Sequence, residues 1–153
     1  MIQTKLNSIV DELLSKFIGG ETYFDKLDDA LKHPENIDIV SNLFSNLKDS
    51  DVIMSGGFGY YVQDLYNKGL ITLKSLVVVN GSLRQGEVTK VSQWVEPTLE
   101  YVFVDDSFYK GRTRDKVQGF LNGMGCTLKG TVVVYDGSHV KDDTVHSMYR
   151  YHK

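Results

Sequence analysis

The sequence predicts an α/β protein in which a mainly parallel central sheet is flanked by helices and preceded by an N-terminal helical segment. Three observations carry that prediction. Apolar residues recur at three- and four-residue spacing through the first 50 positions, short β-branched runs without polar alternation take over from residue 51, and two of those runs lead through a Gly-containing turn into a helical period. Fully apolar strands are expected where both faces of a sheet are covered.

Taken in order, Ile2, Leu6, Ile9, Val10, Leu13, Leu14 and Phe17 share one helical face, and Gly19-Gly20 ends that run. A second helix over 23–31 stops before Pro34, and a third over 35–47 carries Ile39, Leu43, Phe44 and Leu47 on one side. Asp51-Val52-Ile53-Met54 is the first strand, followed by a loop, Ser55-Gly56-Gly57-Phe58-Gly59, and a helix over 60–68. The next strands are Ser75–Val79 and Tyr101–Val104. Then comes a helix with Val117, Phe120, Leu121 and Met124 at i, i+3, i+4 and i+7, and a last strand, Thr131–Tyr135. Gly119, Gly123 and Gly125 in that last helix suggest close backbone packing. Residues 80–98 join two strands without a helical period, which predicts a functional lid or a hairpin. The 153 residues fit one domain: 1–50 as a helical cap or flank, 51–138 as the α/β core, and 139–153 as a tail with no clean period.

Composition narrows the function. Seventeen basic residues against twenty acidic ones leave a net charge of −3, which argues against nonspecific nucleic-acid binding as the main activity. No apolar run approaches the roughly 20 residues of a spanning helix, and the first residues lead into a mixed polar helix rather than a signal-peptide core, so a soluble, cytoplasmic protein without membrane partners is expected. The single cysteine, Cys126, rules out an intrachain disulfide framework. The charge is uneven, however: residues 107–153 carry eight basic residues against four acidic. Lys110, Arg112, Arg114 and Lys116 directly follow the pair Asp105-Asp106, so the segment is either a solvated helix start or an anion site.

Open parallel sheets bind ligands beyond the carboxyl ends of their strands, where the turns after 54, 79, 104 and 135 converge. In Tyr101-Val102-Phe103-Val104-Asp105-Asp106-Ser107-Phe108-Tyr109-Lys110-Gly111-Arg112-Thr113 a buried strand delivers two carboxylates to its end and a short loop turns into a helix. Backbone N–H groups of such a loop and helix start can cradle a phosphate, with the Thr113 hydroxyl as a further donor. The carboxylates suit sugar hydroxyls, or a hydrated Mg2+ on a second phosphate group.

This segment resembles the phosphoribosyl-pyrophosphate (PRPP) signature of the type I phosphoribosyltransferase family, which implies a phosphoribosyltransferase-like, Rossmann-like fold. The order of elements over about 51–138 agrees with it. The resemblance implies transfer of phosphoribosyl from Mg-PRPP to a nucleobase or related amine, with release of pyrophosphate and Mg2+ as cofactor. It makes Asp105 and Asp106 the catalytic pair on the ribose hydroxyls. Ser107, Phe108, Tyr109, Lys110, Gly111, Arg112 and Thr113 would hold the 5′-phosphate, and Ser55, Gly56, Gly57 and Phe58 would form the pyrophosphate loop, with no protein ligand bound directly to a metal. Arg84 or Lys90 would close a lid over the leaving group, Tyr135 and Asp136 would meet the base, residues 139–153 would be a minimal hood, and family habit adds a homodimer. Tyr109 and Lys110 stand where that family has small or hydroxyl residues, and the second strand ends at Val79-Asn80 without a basic residue. A second reading is therefore a catalytically inactive nucleotide sensor or protein-interaction module on the same fold. His139, His146 and His152 with Asp142 and Asp143 match no compact zinc spacing.

Overall fold

The computed structural model describes residues 2–16, 21–80, 90–91, 100–138 and 141–150. Four α-helices and a six-stranded sheet account for most of them, with a fifth helix on the opposite face. The chain order is α1 (Ile2–Lys16), α2 (Glu21–Lys32), a 3-10 turn (Pro34–Asn36), α3 (Ile37–Leu43), β1 (Asp51–Ser55), α4 (Gly56–Asn67), β2 (Ser75–Asn80), β3 (Lys90–Val91), β4 (Glu100–Phe108), α5 (Arg112–Gly123), β5 (Thr127–Asp136) and β6 (Val145–Arg150).

The strands lie in the order β3-β2-β1-β4-β5-β6. All neighbours are parallel except β2 and β3, which pair antiparallel through Val79 with Val91 and Asn80 with Lys90. The chain thus turns back beside β2, as a hairpin does, while residues 81–89 and 92–99 fall outside the described part.

Alternation along the strands divides the core into two layers. Val52, Met54, Val78, Val102 and Val104 face α1 to α4, where they meet Leu6, Val10, Leu27, Leu31, Ile39 and Val62. Ile53, Val77, Val79, Tyr101 and Phe103 face α5, whose Val117 and Leu121 are buried with Cys126 at the turn that follows. Gly59 sets the approach of α4, since a Cβ there would stand 3.0 Å from Val78 and 3.1 Å from Met54.

Several sequence expectations are corrected. Residues 55–59 do not form a loop; Ser55 ends β1 and directly precedes α4, which begins at Gly56, without a capping bond from its side chain. The strand expected to end at Val104 continues to Phe108 because β5 carries on beside it, pairing Asp105 with Val133 and Ser107 with Tyr135. Gly119 and Gly123 have open space around them and mark no close packing, while Gly125, at φ 78°, lies beyond the last helical residue and ends the helix. Thr131–Tyr135 is not the last strand: residues 145–150 of the expected tail form β6, parallel to β5 at the sheet edge. Its half-buried residues explain the missing period.

Candidate functional site

Strand order places the site. The path from β1 runs through α4 to β2 on one side, and the path from β4 runs through α5 to β5 on the other, so the sheet reverses direction between β1 and β4. At such a reversal the two connections leave on opposite faces and a crevice opens beyond the strand ends. Ser55 ends one of these strands, and the last residues of the other include Asp105 and Asp106.

The two carboxyls are neighbours in charge, and Asp105 Oδ1 accepts the Asp106 backbone N–H at 2.9 Å. Burial, reinforced by the charge of Asp106, pushes Asp105 well above the usual carboxylate range, and burial raises Asp106 as well. Two adjacent carboxyls present several acceptor oxygens side by side, a set that complements two neighbouring hydroxyl groups. Ser107 Oγ donates to Asp106 at 3.3 Å.

The expected phosphate segment is divided among three environments. Ser107 and Phe108 stay in the β4–β5 ladder, which leaves Tyr109–Gly111 as the turn. Gly111 is left-handed, at φ 74°, and caps α5; a Cβ there would meet the Phe108 ring and the Arg114 guanidinium at 3.1 Å. The side chain closest over this turn is thus Phe108, buried and covered by Arg114 at 5.0 Å from its ring, whereas Tyr109 stands 42% exposed with Lys110 above its ring. Arg112 is exposed and Thr113 half-buried in the first helical turn, where backbone N–H groups lack intrahelical acceptors.

The remaining expected residues separate. Gly56 and Gly57 open α4 beside Ser55, but Phe58 is buried in the helical layer and belongs to the core. Tyr135 is buried and stacked on Tyr149, with ring centroids 5.9 Å apart. Asp136 accepts the Ser138 N–H at 2.9 Å and pairs with Arg150 at 3.6 Å. Arg84 lies outside the described residues, and Lys90 is placed only as a backbone position in β3. Among the described residues no group of three His, Cys, Asp or Glu is placed to hold a metal ion, and no helix is long and apolar enough to cross a membrane.

Two residues absent from the sequence reading approach this crevice from α2, which packs against β4 and α4. Lys32 Nζ lies 2.8 Å from Asp28 Oδ2 and would be 3.1 Å from a Cβ on Gly57. Asp28 in turn adds its negative field to Asp105 and Asp106. Their i, i+4 spacing was visible in the sequence, but nothing in it told which strand ends that helix face would reach.

A doubly wound sheet opens a ligand-binding crevice at its reversal point, and here that crevice carries paired carboxylates. Solved structures specify the fold further. The chain resembles a phosphoribosyltransferase from Corynebacterium diphtheriae with a TM-score of 0.65, 13% identity and coverage of 97% of this chain and 95% of that one. It also resembles an orotate phosphoribosyltransferase from Aeropyrum pernix (0.56, 16%, 82% and 75%) and an adenine phosphoribosyltransferase from Rhodothermus marinus (0.54, 15%, 79% and 82%). The chain therefore has the phosphoribosyltransferase fold. No family model matches the sequence, and no curated protein sequence does.

Proposed function

We propose that this chain binds PRPP or a nucleotide 5′-phosphate together with Mg2+, and transfers phosphoribosyl to a nucleobase or related amine with release of pyrophosphate. The observation that carries this reading is the adjacent Asp105-Asp106 pair at the reversal point, followed by the left-handed Gly111 and the start of α5. Asp105 and Asp106 hold the two ribose hydroxyls. Backbone N–H groups at the start of α5, with the Thr113 hydroxyl, hold the 5′-phosphate, and the start of α4 at Gly56-Gly57 faces the diphosphate. These contacts fix the sugar while positive charge develops at its anomeric carbon, a task of positioning and electrostatics.

The residues present fit a magnesium ion that arrives with its ligand. Phosphate oxygens and water would supply its ligands, since Mg2+ seldom needs an all-protein cage, and the acids at the end of β4 would complement its charge without binding it directly. When bound, it neutralises the departing diphosphate.

Titration calorimetry with PRPP and Mg2+ tests the site. Wild-type protein is expected to bind, and Asp105→Asn/Asp106→Asn to lose at least about tenfold in affinity. Absent binding, or equal binding by the double variant, refutes the reading. The second reading, a non-catalytic nucleotide sensor or interaction module, is favoured by Tyr135 and Asp136, which are engaged with Tyr149, Ser138 and Arg150 where a base would be read. Pyrophosphate release across a panel of bases separates the two.

A further inference from the structure

We infer that the α2 pair Asp28–Lys32 is part of the ligand site: Lys32 takes the ligand's second phosphate group, and Asp28 is the internal partner that it leaves. The inference rests on the phosphate-binding reading above and assigns a residue to the half of the site that strand β2 leaves without a cation. That strand ends at Val79-Asn80. Lys32 instead brings an ammonium group from the helical layer to the Gly57 backbone, close enough that a methyl group there would crowd it. The same helix packs against β4, whose end carries Asp105 and Asp106, and the charge of Asp28 is among those that raise them. Because α2 packs against both α4 and β4, the pair stands between the two halves of the crevice.

Both side chains keep access to solvent, Lys32 at 33% and Asp28 at 25%. An i, i+4 ion pair at such exposure is weak, so phosphate oxygens can replace the carboxylate at little cost. A phosphate offers Lys32 the stronger, charge-assisted hydrogen bonds. When Lys32 turns to the ligand, the uncompensated charge of Asp28 remains beside the Asp105-Asp106 pair. That charge disfavours a bare diphosphate and favours one carrying its own divalent cation. Lys32 therefore distinguishes ligands with a second phosphate group from those with only a 5′-phosphate, and Asp28 makes that recognition depend on magnesium.

A matched control exists in the chain. Asp64 and Lys68 form an i, i+4 pair at 2.9 Å at the other end of α4. Binding of Mg-PRPP and of ribose 5-phosphate is measured for wild type, Lys32→Ala, Asp28→Asn and Lys68→Ala, with melting curves to confirm folding. Lys32→Ala is expected to weaken Mg-PRPP about tenfold or more and to leave ribose 5-phosphate within about twofold. Asp28→Asn is expected to narrow the difference between PRPP with and without Mg2+, and Lys68→Ala to match wild type. Equal binding of Mg-PRPP by wild type and Lys32→Ala overturns the assignment, as does an equal loss for both ligands. Wild-type protein that binds neither ligand overturns the phosphate-site reading beneath it.

Discussion

Asp105 and Asp106 stand side by side and half-buried at the end of β4, and the loss of water around them raises both carboxyl pKa values at a cost in stability. The folded protein binds the proton more tightly than the unfolded chain, so stability falls as pH rises from the ordinary carboxylate value through the raised range of the pair. Asp105→Asn removes this charge problem. The variant is expected to be more stable than wild type by ~1–2 kcal/mol at pH 8, with the gain shrinking toward pH 4, while ligand binding weakens. Melting curves across that pH range provide the check; a variant less stable than wild type at pH 8 would refute the account. Stabilisation by the substitution that removes binding would identify the pair as a feature kept for function at the expense of the fold. Phe108 offers a contrast: aromatic and next to the acids, it looks in sequence like another site residue, yet it spends its ring on Arg114 and Gly111.

At the scale of elements, β6 is held by contacts from several directions. Arg114 of α5 donates to Asp142 at 2.6 Å just before the strand begins, and Asp136 pairs with Arg150 near its end. Hydrogen bonds from the Thr144 hydroxyl and from Arg114 hold the Asp142 carboxyl at about 2, well below the usual value. Its contribution is complete above the ordinary carboxylate pKa and is lost as pH falls through about 2. Arg114→Met is expected to cost ~1–2 kcal/mol and to speed amide hydrogen exchange in β6 more than in β1; unchanged protection of β6 would show that the ladder alone holds it. Strand β6 also marks the limit of what the sequence reveals. The apolar cores of β1, β2, β4 and β5 and the Val117–Leu121 face of α5 were visible because burial on a known side imposes a period. Val145–Arg150 is half-buried except for the exposed His146 and has no such period. Asp105, Asp106 and Ser107 are poor strand formers that remain extended because β5 pairs with them, and Gly56 and Gly57 are poor helix formers at the start of α4. In each of these places tertiary contacts override local preference, and these places surround the candidate site.

For the molecule as a whole, the site draws on both connections that diverge at the β1–β4 reversal, together with the helical layer through α2. A ligand that touches β4, α5, α4 and α2 binds only the assembled structure and stabilises it by mass action. Mg-PRPP at about one hundred times its dissociation constant is expected to raise the melting temperature by roughly 5–10 °C. A shift of that size with ribose 5-phosphate but none with PRPP would contradict a site built for two phosphate groups.

The link between the first helix and the last strand has a consequence for synthesis. Gln3 donates to the Met148 carbonyl at 3.0 Å, and the Tyr149 hydroxyl donates to Asp11 at 3.2 Å. On the ribosome, α1 emerges before β6 and must wait for that strand before these contacts can form. Its apolar face, Leu6 and Val10 included, cannot be buried in its final place until the strands arrive. During that interval only α2 and α3 are present to cover its apolar face, and what they leave exposed is the kind of surface that chaperones bind.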